Sequence, residues 1–403
     1  MSKVTALKLV QIGSLSVEGD HPTLSDILPA ASEILSNWGT TRTVGVSNGK
    51  IVDGLDVYFA LKLLGARLVP VSEGKSAELY VPLDSLGFYD DINPPPARVF
   101  KSTEELLYRN WPTPLVQLRA LSVRGYEAWA KLECFNPFSF SVKDRIGWSM
   151  VKKYIEANGR PPKLAYEATS TNTGMALAAM AAIHGFKLRA YIPKTIQRVS
   201  DVFLKAMGAE VVRIDKSLTV EAIDDVKAEA ERDGAVNLDQ FYNDANFEVH
   251  LRYTAKELDY QVKSARITLR GILGGLGTSG HMSAIAFYFK SAYRGGVKVY
   301  GVQPKPGDTI PGIRRVETGM KWVHMVELDG VVDVSLSEAI EAVLKIARRD
   351  GILVGLSSGA VAAAFEKLVE KGTLEPGSYI LVFPDNGLKY AEQLEAYMEG
   401  RHA

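Results

Sequence analysis

Lys143 stands near the end of the run Lys131-Leu132-Glu133-Cys134-Phe135-Asn136-Pro137-Phe138-Ser139-Phe140-Ser141-Val142-Lys143-Asp144-Arg145. Ser141 is placed to cap a following helix, which puts Lys143 in the first helical turn. There the positive end of the helix dipole disfavours the ammonium form, and partial burial adds to that effect. A neutral amine is the species that forms an imine with a carbonyl group. Taken by itself, a lysine at a helix start reads equally as a solvated surface residue. Three other segments shift that balance. Glu167-Ala168-Thr169-Ser170-Thr171-Asn172-Thr173-Gly174-Met175 gathers hydroxyl and amide groups at the opening of a helix, as a chain does to surround a carboxylate or phosphate with donors. Alone it would pass for an ordinary capping turn. Ile272-Leu273-Gly274-Gly275-Leu276-Gly277-Thr278-Ser279-Gly280 joins a strand to a helix through glycines that let a backbone approach closely. It lacks the lysine of an ATPase phosphate loop, so it suits the phosphate of a cofactor instead. Gly355-Leu356-Ser357-Ser358-Gly359-Ala360 repeats the same strand-to-helix geometry.

These segments need a scaffold that brings loop ends together. From Ala128 onward, short β-like runs alternate with amphipathic helices: Ala128 to Leu132, a helix near Ile146 to Ala157, Leu164 to Ala168 and an Ala-rich helix from Met175. The alternation continues through Arg189 to Ile192, Glu210 to Ile214, Ile267 to Leu273, Val297 to Val302, Ile352 to Val354 and Tyr379 to Phe383. Such repetition predicts an α/β protein with open, mostly parallel sheets. In such sheets ligands bind beyond the carboxyl ends of the strands, where all four segments fall. Ahead of this region, residues 1–85 read as a small α+β unit, with strand-like Ala6-Leu7-Lys8-Leu9-Val10, a helix over Leu24 to Leu35, and Ile51-Val52-Asp53-Gly54 before another helix. Asn93-Pro94-Pro95-Pro96 predicts a linker over residues 86–98, since consecutive prolines supply neither ladder nor helix donors.

Composition narrows the function classes. The 403 residues carry 47 Lys and Arg against 47 Asp and Glu, which removes the electrostatic case for a nucleic-acid or acidic-membrane partner. No stretch approaches a membrane span, and the N-terminus has no secretory h-region, so a soluble cytoplasmic protein is expected. The lone cysteine, Cys134, excludes an internal disulfide, and the six histidines form no metal-binding pair, so no metal is expected. With no histidine near it in sequence, Cys134 reads as a packed thiol rather than a nucleophile.

Taken in order, the four segments resemble the cysteine synthase and cystathionine β-synthase family of fold-type II enzymes, which use pyridoxal 5′-phosphate (PLP). The likeness runs from about Trp111 to Tyr390 and includes Trp111-Pro112-Thr113-Pro114-Leu115, Gln240-Phe241-Tyr242-Asn243-Asp244-Ala245-Asn246, Gly301-Val302-Gln303-Pro304 and Pro384-Asp385-Asn386-Gly387-Leu388-Lys389-Tyr390. It implies that Lys143 is the Schiff-base lysine and the acid and base at the substrate Cα. It implies further that Asn172 meets the PLP 3′-oxygen, that Thr169, Ser170, Thr173 and Gln240 hold the substrate carboxylate, and that Gly275, Leu276, Gly277, Thr278 and Ser279 cradle the cofactor phosphate. Ser357 would face the pyridine nitrogen, Phe241 would wall the pocket, and Asp144 and Arg145 would orient the helix.

Two departures from the family pattern bear on the substrate. The usual N-P-G-G-S-V-K-D-R is replaced by the sequence around Phe138 and Phe140. The segment Thr309-Ile310-Pro311-Gly312-Ile313-Arg314-Arg315 carries adjacent arginines where relatives acting on O-acetylserine have a neutral stretch. Guanidinium pairs well with phosphate, so the chain resembles the archaeal O-phosphoserine sulfhydrylases, making cysteine from O-phosphoserine and sulfide by β-replacement. Acceptance of O-acetylserine, cystathionine β-synthase or dehydratase chemistry, and an inactive regulatory module are the alternatives. The family also implies a homodimer, a large PLP-binding domain from residues 99–144 and 259–403, and a small mobile substrate domain from residues 145–258. Residues 52–71 are similar to the core of ParB-like domains, with Val57 where their D-G-x-x-R-x-x-A pattern has Arg. That departure favours a structural or dimer-supporting appendage over a regulatory site.

Overall fold

The structure, a computed structural model, describes residues 8–400 apart from Asp20, Asn93 and Arg124. The expected first strand residues Ala6 and Leu7, and Asn93 of the expected linker, lie outside the described residues. The largest sheet has six strands in the spatial order Gly330–Val334, Lys298–Pro304, Leu269–Gly275, Gly377–Phe383, Tyr126–Leu132 and Leu115–Gln117. All are parallel except the last, which runs antiparallel to Tyr126–Leu132. Six of the seven residues of Leu269–Gly275 are buried, the pattern of a strand covered by helices on both faces. A second, fully parallel sheet orders Glu210–Ile214, Lys187–Pro193, Leu164–Ala168 and Val236–Asn237. The α/β class with open, mostly parallel sheets is therefore the one observed, together with a small N-terminal sheet.

That N-terminal sheet orders Lys8–Gln11, Leu68–Glu73, Val44–Ser47 and Lys50–Asp53, flanked by a two-stranded ribbon of Gly39–Arg42 and Glu78–Pro82. The helix Leu24–Asn37 begins with a reciprocal cap in which the Thr23 and Asp26 side chains satisfy each other's backbone N–H groups. Its apolar stripe, Leu24, Leu28, Ala31, Ile34 and Leu35, belongs to the same buried cluster as Ile285 and Phe289 of the helix Gly280–Ala292. The N-terminal unit thus shares one core with the larger body.

Three expectations differ from the structure. Ile352–Val354 forms no strand: five residues separate Asp350, the end of one helix, from Leu356, the start of the next, and only the single bridge Val354 to Asn386 fits between them. Residues 86–92 are packed rather than a tether, with Phe88 and Ile92 buried and the Tyr89 hydroxyl donating to Asp259 (2.5 Å), because the prolines begin only at Pro94. The strands Leu115–Gln117, Val236–Asn237 and Gly330–Val334 were not anticipated. Among the described residues no helix is long and apolar enough to cross a membrane, and no cluster of His, Cys, Asp and Glu is placed to hold a metal.

Candidate active site

Lys143 opens the helix Lys143–Asn158, beyond the carboxyl end of the strand Tyr126–Leu132. Ser141 does not occupy the cap position, which is Val142, but its Oγ accepts the Lys143 backbone N–H (3.1 Å). The Lys143 amine is mostly buried, and burial lowers its pKa to about 8; Lys389 pushes the same way, while Asp385 and Glu133 oppose. Burial, more than helix position, is the cause of its readiness to be neutral.

The two residues after Lys143 fix that helix end from opposite sides. The Asp144 carboxylate accepts the backbone N–H groups of Phe138 (2.7 Å) and Ser139 (2.9 Å) and the Ser139 hydroxyl, shaping the loop ahead of Lys143. Arg145 is fully buried between Glu133 (2.6 Å) and Glu257 (2.6 Å), 4.4 Å from the centre of the Trp111 ring. Lys131 completes this cluster, pairing with Glu257 at 3.0 Å. The two cations and two carboxylates, none with solvent access, balance in formal charge, so each buried ion has a partner.

The second sheet delivers the hydroxyl and amide groups. Asn172 begins the helix Asn172–His184; its Nδ2 donates to Asp385 (2.9 Å) and its Oδ1 accepts from Lys389 Nζ. Thr169 Oγ1 accepts the Gly174 N–H (2.9 Å), and Thr173 Oγ1 donates to Gln240 Oε1 (2.7 Å). Ser170 is half-buried beside them. Gln240 in turn is held by Glu167, whose carboxylate accepts the Asp239 (3.0 Å) and Gln240 (3.1 Å) N–H groups; burial pushes its pKa up to about 8.

The glycine loop after Leu269–Gly275 closes against a neighbouring segment. A Cβ on Gly277 would stand 2.5 Å from the Gly312 carbonyl oxygen, and one on Gly275 would stand 2.4 Å from Ile313 Cγ2. Ser279 is held at φ +72°, a left-handed conformation unusual for serine. Its hydroxyl is buried without a partner, while Thr278 Oγ1 accepts from Asn246 (2.9 Å). An orphaned hydroxyl in a glycine turn, at the head of the helix Gly280–Ala292, fits a phosphate group. Leu276 is buried beneath the loop. Ser357, buried in the first turn of the helix Leu356–Glu370, faces Gly312 on the far side.

The two arginines part company. Arg314 Nε donates to the Gly277 carbonyl (2.8 Å), and its Nη1 donates to Thr318 Oγ1 (2.8 Å). Its guanidinium lies 5.3 Å from the centre of the Phe241 ring and pairs with no carboxylate among the described residues. Burial lowers its pKa to about 10, which leaves it charged near neutrality. Arg315 turns away and is neutralised by Asp333 (3.0 Å) and Glu317. Cys134 has its thiol pushed up to about 11 by burial, the mark of an inert sulfur.

Sequence reasoning gave no role to Glu167, Asp385, Lys389 or Tyr390. The last three lie in the run Pro384 to Tyr390, whose pattern was visible while its contacts, more than two hundred residues away, were not.

The family model described as pyridoxal-phosphate dependent enzyme matches residues 106–385. The chain is 35% identical to cysteine synthase B of Salmonella typhimurium over 288 residues, 69% of this chain and 91% of that protein. It is 32% identical to a cysteine synthase of Staphylococcus aureus over 292 residues, 69% of this chain and 92% of that protein. Among solved structures, the cysteine synthase of Entamoeba histolytica superposes with a TM-score of 0.64 at 26% identity, covering 77% of this chain and 99% of that one.

Proposed function

We propose, from the premise that the chain belongs to the pyridoxal-phosphate dependent enzymes and catalyses β-replacement of the cysteine-synthase type, that its substrates are O-phosphoserine and sulfide and its products cysteine and phosphate. When bound, PLP supplies an electron sink that acidifies the substrate Cα–H and lets a β-substituent depart. The residues supply the rest. Lys143, with its pKa lowered to about 8, would hold the cofactor carbonyl and then carry the proton at the substrate Cα. Asn172 would face the cofactor 3′-oxygen, the loop from Gly275 to Ser279 its phosphate, and Ser357 its ring nitrogen. A serine there, unlike a carboxylate, leaves that nitrogen unprotonated and moderates the sink, which favours β-chemistry over transamination. Thr169, Ser170, Thr173 and Gln240 would take the substrate carboxylate. The Cα proton passes to Lys143 Nζ, and the Cβ–O bond breaks with its electron pair leaving on phosphate. Sulfide then forms the Cβ–S bond, and Lys143 returns the proton.

Arg314 carries the choice of O-phosphoserine. A guanidinium already paired with a carboxylate gains little from a second anion, and Arg314 has no such partner among the described residues. A cleft of about 310 Å³ lies beside it, lined by Arg314, Tyr242, Thr318, Leu218 and Glu221, whose carboxylate is engaged by the Ser217 and Leu218 backbone N–H groups. In steady-state assays with sulfide, Arg314→Gln raises the KM for O-phosphoserine at least about tenfold, the scale of one hydrogen bond to a charged group. The KM for O-acetylserine moves little, and Arg315→Gln is near wild type. Equal effects of Arg314→Gln on both donors, or none on O-phosphoserine, would overturn the phosphate assignment.

A further inference from the structure

Lys389 is a further buried lysine of the site, besides Lys143 and Lys131, and it reaches the hydroxyl-rich segment at Asn172. Its Nζ donates to Asn172 Oδ1 and to the Ser139 carbonyl, and it lies 3.9 Å from Asp385 Oδ2. At the nitrogen of the same amide, Asn172 Nδ2 donates to Asp385 Oδ2 (2.9 Å), an oxygen that also accepts the Tyr390 hydroxyl (2.6 Å). Asp385 is buried, so its carboxylate is committed to these partners and its Oδ1 has none.

An asparagine amide has nearly the same shape whichever way it is turned, so its direction is set only by what its neighbours can donate or accept. An ammonium group donates only, and an ionised carboxylate accepts only. One facing the amide oxygen and the other the amide nitrogen, the two neighbours fix one orientation. The oxygen is spent on Lys389, one N–H is spent on Asp385, and a single N–H remains to meet an acceptor. Lys389 also joins the halves of the site: Ser139 belongs to the loop ahead of Lys143 that Asp144 shapes, and Asn172 opens a helix of the second sheet.

We propose that Lys389 and Asp385 are positioning residues that lock the Asn172 amide with one N–H turned toward the 3′-oxygen of the cofactor. The inference rests on the assignment of Asn172 made above. It is tested on cofactor-free protein titrated with PLP, reading both the dissociation constant and the visible absorption maximum of the bound cofactor. Lys389→Met keeps the length of the side chain and removes the donor; it weakens PLP binding about tenfold and shifts the absorption maximum, and Lys389→Arg restores both. Asp385→Asn, whose amide both donates and accepts and so dictates no direction, moves both readouts the same way and serves if Lys389→Met does not fold. A purely structural role for Lys389 would lower thermal stability and leave the absorption maximum in place. If Asn172→Ala alters both readouts while Lys389→Met and Asp385→Asn alter neither, the positioning role is refuted. If Asn172→Ala also leaves both unchanged, the assignment of Asn172 itself fails.

Discussion

Lys143 illustrates how burial can prepare a side chain for chemistry at a cost to the fold. An unfolded chain keeps a proton on this amine up to the ordinary lysine value of 10.5, while the folded protein keeps it only up to about 8. Between those values the unfolded state binds more protons, so stability rises with pH across that window. From roughly pH 7 to roughly pH 9.5 the gain from this one group is about 2 kcal/mol, at 1.36 kcal/mol per pKa unit. Lys256 is shifted in the same direction, so the contribution of Lys143 must be isolated by difference. Urea unfolding of cofactor-free wild type and Lys143→Met at both pH values provides it. The wild type gains about 2 kcal/mol more than the variant over that interval; equal gains would mean that the amine is protonated and solvated like any surface lysine. The arginine pair teaches the complementary lesson at this scale. Arg314 and Arg315 are equivalent in sequence, and only the carboxylates facing Arg315 tell them apart.

Among elements, the loop from Gly275 to Gly280 has little tolerance for added atoms. A methyl group on Gly277 meets the Gly312 backbone oxygen at 2.5 Å, and a backbone atom cannot swing aside as a side-chain tip can. Gly277→Ala must therefore displace the loop or the segment carrying Arg314, and it lowers PLP affinity by at least about tenfold while far-UV circular dichroism stays near wild type. Unchanged affinity would show that the loop does not contact the cofactor. The loop was legible in the sequence because its glycines and hydroxyls are contiguous. So was the buried strand Gly377–Phe383, whose apolar run from Tyr379 to Phe383 is continuous. Gly330–Val334 escaped notice because it is an edge strand that buries only Val334 fully, so its pattern resembles a loop. Ile352–Val354 shows the opposite error, an apolar run too short and too closely hemmed by helices to find a neighbour. What sequence could not show was pairing at long range. Glu257 meets Arg145 across 112 residues and Asn172 meets Asp385 across 213, and nothing local marks either carboxylate as the partner.

For the whole molecule, the question is whether the N-terminal unit is a separable appendage, as the sequence suggested, or part of the body that holds the site. Its helix Leu24–Asn37 bonds to the helix Gly280–Ala292 through Ser32 and Ser291 (2.9 Å) and through the Ser36 hydroxyl to the Ser291 carbonyl (3.1 Å). Fully buried Lys256 donates to the Phe88 carbonyl (2.7 Å) and to Asp91 (3.0 Å), and buried Asp259 accepts the hydroxyls of Tyr89 (2.5 Å), Tyr288 (2.9 Å) and Tyr293 (2.6 Å). Lys256 adjoins Glu257, which grips Arg145 two residues beyond Lys143, so the seam between the unit and the body lies one residue from the anchor of the catalytic helix. Removing Asp91 leaves the Lys256 ammonium buried with carbonyl oxygens alone, a loss of about 3 kcal/mol for a broken buried pair. In a body with one shared core that loss is felt everywhere. Calorimetry of Asp91→Ala then shows the endotherm of the N-terminal unit and the large sheet moving down together, and PLP release moving with it. A low-temperature transition that splits off while PLP stays bound would instead mark residues 8–92 as an independent unit, and the continuity of the core would carry no energetic coupling.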